Sequence, residues 1–162
     1  TKEFFAWGLR VGFITFGIED ETTQQVLEAK LKGLIRSNIS SGAMPSQSAV
    51  KYVLEHPETF EKEIQHNIDT LQARYEVTKQ EVYADKYQNY WQPYDFNSGY
   101  FMAIKIKDVD PEQLRKHLIE NYSIGIIALN DTDIRIAFSC IEKDDIPHVF
   151  ENIAKAIDDL KN

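Results

Sequence analysis

Cysteine and long apolar runs are nearly absent from this sequence of 162 residues, and each absence excludes a class of protein. Cys140 is the only cysteine, so no disulfide can form within the chain and no cysteine spacing suits zinc. We therefore expect a reducing compartment, the cytoplasm. No uninterrupted apolar run approaches the roughly 18 residues of a transmembrane helix, and no leader pattern is visible. The sequence predicts no membrane partner.

Basic residues are also in short supply. Lys and Arg total 18 against 26 Asp and Glu, which gives a formal net charge of -8. This charge repels nucleic acid and anionic membranes, so neither is expected as a partner. Any bound anion must be held by a local group of basic side chains. Hydrophobic residues make up 43% of the chain, a share typical of a folded protein.

The first third of the chain predicts a strand and two helices. Branched and aromatic residues crowd between glycines over residues 11–16, which indicates a short buried strand. A helix with a capping box at Thr22 follows, and its apolar stripe is expected to face a core. Residues 37–45 are small and polar, typical of a loop. Ser46 is expected to cap a second helix that ends before Pro57.

The remainder predicts one long helix and then a small sheet with helices. Residues 58–83 show helical periodicity throughout, and the aromatic, polar residues 87–98 are typical of a loop. Asp110 is expected to cap the helix that begins at Pro111. The predicted order from there is strand, helix, strand, strand, helix, over residues 100–106, 111–121, 124–129, 134–138 and from about 144 onward. The fold class is therefore α/β, with an α+β small domain whose sheet is covered by helices.

Three basic residues lie in or beside apolar segments and are the candidates for anion binding. Lys2 and Arg10 flank an aromatic stretch, and Arg135 interrupts a predicted strand. A guanidinium is costly to bury unpaired, and its planar fork matches carboxylate or phosphate. Taken singly, each has a simpler explanation: Lys2 is solvated, Arg10 is a surface or ion-pairing residue, and Arg135 faces solvent from an alternating strand.

Their order along the chain resembles a known family. Thr1-Lys2 followed by Trp7-Gly8-Leu9-Arg10-Val11-Gly12 resembles the cofactor-lysine segment of fold-type I (class I/II) pyridoxal-phosphate-dependent aminotransferases of the aspartate aminotransferase type. The resemblance continues through residues 34–40, 97–101 and 133–139, and so covers nearly the whole chain. It implies the C-terminal part of the aspartate aminotransferase-like fold, with a long connecting helix.

The resemblance implies a role for each basic residue. Lys2 would be the catalytic residue, holding pyridoxal 5'-phosphate through its amine and moving a proton. Arg10 would bind the cofactor phosphate, with Gly12 letting the backbone pass close by. Arg135 would bind the α-carboxylate of the substrate. Arg36 would bind a side-chain carboxylate across a dimer interface, or alternatively would interact with its own helix C-terminus.

The resemblance also implies a longer enzyme. The family's ligands for the cofactor ring precede the lysine, and this chain begins one residue before Lys2, so we expect a fragment that is inactive alone. The implied domains are residues 1–50, a remnant of the large cofactor-binding domain, 51–86, connecting helices, and 87–162, the small domain. The intact parent would be a homodimer that transfers an amino group between an amino acid and a 2-oxo acid.

Three other functions remain open from the sequence. Enzymes with similar lysine and arginine segments also catalyse elimination or decarboxylation with the same cofactor. An aminotransferase-like domain can also act as the ligand-binding part of a transcriptional regulator. The small domain and its long helix would also suit a non-catalytic module for folding and dimerisation. No metal site is expected, because the four histidines show no ligand spacing.

Overall fold

The computed structural model describes residues 4–161. It divides the chain into two compact units, Thr1–Asn67 and Ile68–Asn162. The boundary falls within the long helix α3, Pro57–Val82, so this helix belongs partly to each unit. The sequence predicted one helix over residues 58–83, and that prediction is confirmed. Within residues 4–161, no helix is both long and apolar enough to cross a bilayer.

The first unit contains α1, Glu21–Asn38, α2, Met44–Glu55, and the start of α3. Asp20 caps α1, since its Oδ2 accepts a hydrogen bond from the Thr23 amide at 2.7 Å. The predicted capping box at Thr22 is therefore wrong by two residues. Ser46 does not cap α2 either, because this helix already begins at Met44 with proline in its first turn. Its end before Pro57 is confirmed.

The strand predicted at residues 11–16 is wrong, because this segment has no regular structure. Phe13 and Ile14 are 74% and 70% exposed. A strand needs a neighbour to satisfy its backbone groups. Among residues 4–161, all the strands lie in the second unit, so the first unit offers this segment no strand with which to form a sheet. The predicted core behind α1 is also wrong, since this helix has no buried residue.

The second unit is built on a four-stranded antiparallel sheet with the order β1-β2-β4-β3. Its strands are β1, Trp91–Pro93, β2, Met102–Ile106, β3, Ile127–Ala128, and β4, Asp133–Ile136. In the register of the central pair, Ala103 lies opposite Arg135 and Ile104 lies opposite Ile134. β1 lies in a segment predicted as loop, so that prediction is wrong at three residues. β3 and β4 are shorter than predicted.

Helices α4, Pro111–Tyr122, and α5, Ile146–Lys161, complete the second unit. Asp110 caps α4 as predicted, with its Oδ1 accepting from the Gln113 amide at 2.8 Å. One face of the sheet and the apolar sides of both helices form a single core, whose members include Met102, Ile104, Leu114, Leu118, Ile134, Ile136, Phe150, Ile153 and Ile157. The fold is thus the mixed α/β arrangement predicted, with a small sheet and helices.

Candidate functional site

Arg10 is the first predicted site residue that the structure describes, since Lys2 lies outside residues 4–161. Arg10 is exposed and follows a 3-10 turn, Trp7–Leu9, with a left-handed backbone at φ 55°. Its Nη1 donates a hydrogen bond to the Trp7 carbonyl oxygen at 3.3 Å. The described residues place no carboxylate within ion-pair distance of this guanidinium. Most of its donors therefore remain available to a ligand.

A cavity of about 910 Å³ opens beside Arg10 in the first unit. Among the described residues, its charged lining residues are Arg10 and Lys51, and no Asp or Glu of residues 4–161 lines it. The Lys51 amine lies 3.6 Å from a Glu55 carboxylate oxygen, so its charge is partly balanced. The volume is within the range of about 300–1,000 Å³ that small-molecule and cofactor sites occupy. In a chain of net charge -8, this cavity is a local cationic site that suits an anion.

Gly12 also lines this cavity. A Cβ added to it would meet no atom within 4 Å. No described residue packs closely against Gly12, so the close backbone approach expected there is not seen within residues 4–161.

Arg36 lies in the last turn of α1 and is exposed. Its Nη1 donates to the Ser40 Oγ at 2.8 Å and approaches the Ser40 carbonyl oxygen at 3.5 Å. Ser40 has a left-handed backbone, φ 67°, just beyond the helix. Arg36 is not among the residues that line the cavity beside Arg10. Arg36 thus contacts Ser40 just beyond the end of its own helix, and its substrate-binding role stays a prediction.

Arg135 lies in the second unit, on the sheet face opposite the core. Along β4 the burial alternates, with Ile134 and Ile136 inward and Arg135 half-buried on the other face. Its Cζ lies 4.6 Å from the centroid of the Phe101 ring, a cation–π distance. Within the described chain, Arg135 forms no ion pair. The sequence left open that Arg135 faces solvent from an alternating strand. Its side chain does lie on the outer face of the sheet, but it is half-buried against the Phe101 ring.

Asp133 lies on the same face of β4, two residues before Arg135, but its carboxylate binds elsewhere. It accepts hydrogen bonds from Asn130 Nδ2 at 2.7 Å, Thr132 Oγ1 at 3.0 Å and Tyr94 OH at 3.1 Å. These hydrogen bonds, that from Asn130 foremost, hold the pKa of the Asp133 carboxyl below its usual value. Asp133 therefore stays ionised without pairing with its basic neighbour.

The structure separates the predicted site residues into two groups. Arg10 and Arg36 belong to the first unit, and Arg135 belongs to the second. Sequence reasoning missed Lys51 and Phe101. Lys51 lies three residues after Ser48, which lines the same cavity, and this helical spacing is visible in the sequence. The contact between Phe101 and Arg135 depends on strand register, which the sequence alone did not supply.

Known proteins of similar structure are aminotransferases. An aminotransferase from Anaerococcus prevotii is 21% identical, with a TM-score of 0.70 over 86% of this chain and 33% of its own. The aminotransferase Aro9 from C. albicans, solved with ligands, is 18% identical, with a TM-score of 0.67 over 98% of this chain and 38% of its own. At these identities the likeness shows the fold alone.

A third similar structure is the α-aminoadipate aminotransferase LysN from Thermus thermophilus, complexed with N-(5'-phosphopyridoxyl)-L-leucine. It is 16% identical, with a TM-score of 0.59 over 86% of this chain and 36% of its own. The chain thus spans little more than a third of the length of these structures. A search of curated proteins gave no significant match. The model of the family Aminotransferase class I and II matches residues 1–153, and the chain therefore belongs to that family.

Proposed function

We propose that this chain is the C-terminal part of a pyridoxal-phosphate-dependent aminotransferase that transfers an amino group between an amino acid and a 2-oxo acid. The observation that carries the proposal is the family match over residues 1–153, a span that includes Lys2, Arg10, Arg36 and Arg135. The proposed domains are a remnant of the large domain over residues 1–50, connecting helices over 51–86 and the small domain over 87–162.

The described residues fit the phosphate of such a cofactor. Within residues 4–161, Arg10 forms no ion pair and lines a cavity of suitable volume. The other charged residue among the described lining residues, Lys51, is also cationic. Bound pyridoxal phosphate supplies the aldehyde and the electron-withdrawing ring on which amino-group transfer depends. In this proposal Arg10 binds the phosphate dianion, and the Lys2 amine holds the cofactor and later moves a proton at its Nζ.

Arg135 is proposed to bind the α-carboxylate of the substrate. Its guanidinium forms no ion pair among the described residues, so its two parallel N–H groups are available for a bidentate interaction. Arg36 is proposed to bind a second carboxylate of dicarboxylic substrates. This second role requires Arg36 to exchange its hydrogen bond with Ser40 for the ligand.

The activity belongs to a longer enzyme. This chain corresponds to 33–38% of the length of the solved structures described above, so we expect turnover to require the remainder of such an enzyme. We expect that enzyme to be a cytoplasmic homodimer. The isolated chain of 162 residues, purified free of other enzymes, is expected to show negligible transamination.

An absorption spectrum tests the proposal. An enzyme ending in this chain is purified with pyridoxal phosphate, as wild type and as Lys2→Ala, and spectra are recorded before and after adding glutamate. Lys32→Ala is the matched control, because Lys32 is an exposed lysine of α1 paired with Glu28. We expect a visible band in the wild type and the control that Lys2→Ala abolishes and glutamate shifts.

The outcomes separate the other functions. A Lys2-dependent band that no amino donor converts to the aminated cofactor would contradict transamination and favour a lyase or a ligand-binding domain with the same cofactor. No band in any of the three proteins would contradict the cofactor assignment itself and favour the non-catalytic module.

A further inference from the structure

The environment of Arg135 has an aromatic ring where an acidic partner would be expected. Phe101 immediately precedes β2, and Arg135 lies opposite Ala103, two residues further along that strand. Phe101 and Arg135 are therefore diagonal neighbours on one face of the sheet, a spacing that long and aromatic side chains can span. The small Ala103 side chain directly opposite leaves room for the guanidinium to lie over the ring, 4.6 Å from its centroid.

The ring differs from a carboxylate in what it does to the guanidinium donors. A carboxylate would orient Arg135 by accepting its N–H groups, and those donors would then be lost to a ligand. A ring attracts the cation through its face and accepts no in-plane hydrogen bond. A guanidinium that lies over the Phe101 ring therefore keeps the N–H donors along its edge available to a ligand.

The carboxylate of β4 on the same sheet face as Arg135 belongs to Asp133 and has other partners. Asn130, Thr132 and Tyr94 donate hydrogen bonds to its two carboxylate oxygens. Arg135 therefore contacts the neutral ring of Phe101, while the carboxylate of Asp133 has its own hydrogen-bond donors.

We propose that Phe101 is a positioning residue, which holds the Arg135 guanidinium in the orientation that receives a ligand carboxylate. The proposal rests on the proposed function insofar as the ligand is the α-carboxylate of an amino acid, but the restraint itself is a property of this chain. A cation–π contact at a partly exposed site is worth about 0.5–1 kcal/mol, which corresponds to about two- to fivefold in affinity.

Nuclear magnetic resonance of the 162-residue chain tests this inference without the cofactor. The side-chain δ-CH₂ and Nε–H signals of Arg135 are compared in wild type, Phe101→Leu, Phe101→Tyr and Ile127→Ala, each titrated with propionate. Ile127 of β3 lies opposite Arg135 and is 47% exposed. Its truncation therefore removes an apolar neighbour of Arg135 that has no aromatic ring. Phe101 is 38% exposed, and the amide spectrum checks that each variant is folded.

We expect Phe101→Leu to move the Arg135 signals downfield, because the shielding by the ring is lost, and to raise the propionate dissociation constant about two- to fivefold. Phe101→Tyr should retain both wild-type values, and Ile127→Ala should leave both nearly unchanged. Arg135 signals in the wild type at the positions of an unstacked arginine would overturn the inference. So would equal affinity in wild type and Phe101→Leu, or an equal loss in Ile127→Ala. None of these results depends on the absorption test, so the two proposals fail separately.

Discussion

The arginines of this chain differ in what occupies their donors. Arg36 donates to Ser40 at its own helix end. Arg74, which the sequence did not single out, donates to the Ser139 carbonyl oxygen at 2.6 Å and pairs with Glu142 at 2.8 Å. These two arginines have structural contacts, whereas Arg10 and Arg135 have no carboxylate partner among the described residues. At the residue scale, the candidates for ligand binding are therefore Arg10 and Arg135, the two arginines that pair with no carboxylate within residues 4–161.

Substituting Arg135 and Arg36 should have different effects on substrate choice. In an enzyme ending in this chain, Arg135→Ala should raise the KM of alanine and aspartate alike by at least about tenfold, since charged hydrogen bonds are lost. Arg36→Ala should raise the KM of aspartate alone. Steady-state kinetics with both donors measures this difference. An equal loss for alanine and aspartate on changing Arg36 would remove its proposed role in selectivity.

A carboxylate that links α4 and α5 should make stability depend on pH. Asp159 Oδ2 accepts a hydrogen bond from Tyr122 OH at 2.7 Å and lies 2.9 Å from His117 Nε2. The Tyr122 bond first, and His117 next, lower the pKa of the Asp159 carboxyl. A lowered pKa in the folded state means that this stabilisation is complete above the unfolded value of about 3.9 and is lost as pH falls through the folded value.

We therefore expect Asp159→Asn to lower the urea midpoint at pH 7 and to have a progressively smaller effect as the pH falls below the unfolded pKa of about 3.9, because the wild-type carboxyl then loses its advantage in the folded state. Asp131→Asn is the matched control, because the Asp131 side chain has no hydrogen bond or ion pair within the described residues. Urea unfolding at several pH values measures both variants. A difference between wild type and Asp159→Asn that does not narrow as the pH falls below about 3.9 would contradict the assignment.

At the scale of elements, prediction from the sequence worked where local signals and tertiary packing agree. Helix α3 shows uninterrupted periodicity, and Asp110 with Pro111 marks the start of α4 by local hydrogen bonding alone. The segment 11–16 has the composition of a strand but is not part of the sheet, and composition alone cannot show this. β1 was missed because its three residues are too short for a period to be visible.

The two capped helices should respond differently to loss of their caps. Asp110→Ala should lower the free energy of unfolding of the second unit by about 1 kcal/mol, because α4 is packed into the core and its capping bond is lost. Asp110→Ser should retain most of the stability. Urea unfolding followed by the fluorescence of the buried Trp91, in a Trp7→Phe background, isolates this unit.

Asp20→Ala is the comparison for this variant. It removes the analogous bond to the Thr23 amide from α1, a helix with no buried residue. We expect it to speed hydrogen exchange at the start of α1 and to leave the Trp91 transition unchanged. A loss of Trp91-reported stability equal to that of Asp110→Ala would show that the two units unfold together.

At the scale of the whole chain, the two units differ in how much apolar surface they bury. In the described part of the first unit, Val50 is the only buried residue, while Val26, Leu34 and Ile35 of α1 are exposed. The apolar stripe of α1 is visible in the sequence, but the burial predicted for it is not found within residues 4–161. The second unit, by contrast, contains its own core.

This difference predicts the course of limited proteolysis of the 162-residue chain. Local opening costs little where few apolar contacts are buried, so a protease of broad specificity should cut first within residues 10–20 and 39–43. A resistant fragment should then accumulate that retains Arg74 and Thr78 of α3 and extends through α5, because Arg74 is bonded to Ser139 and Thr78 is fully buried. Mass spectrometry of the time course identifies its ends. Early cleavage between residues 100 and 140, or a resistant fragment from the first unit, would mean that apolar burial does not set the order of unfolding in this chain.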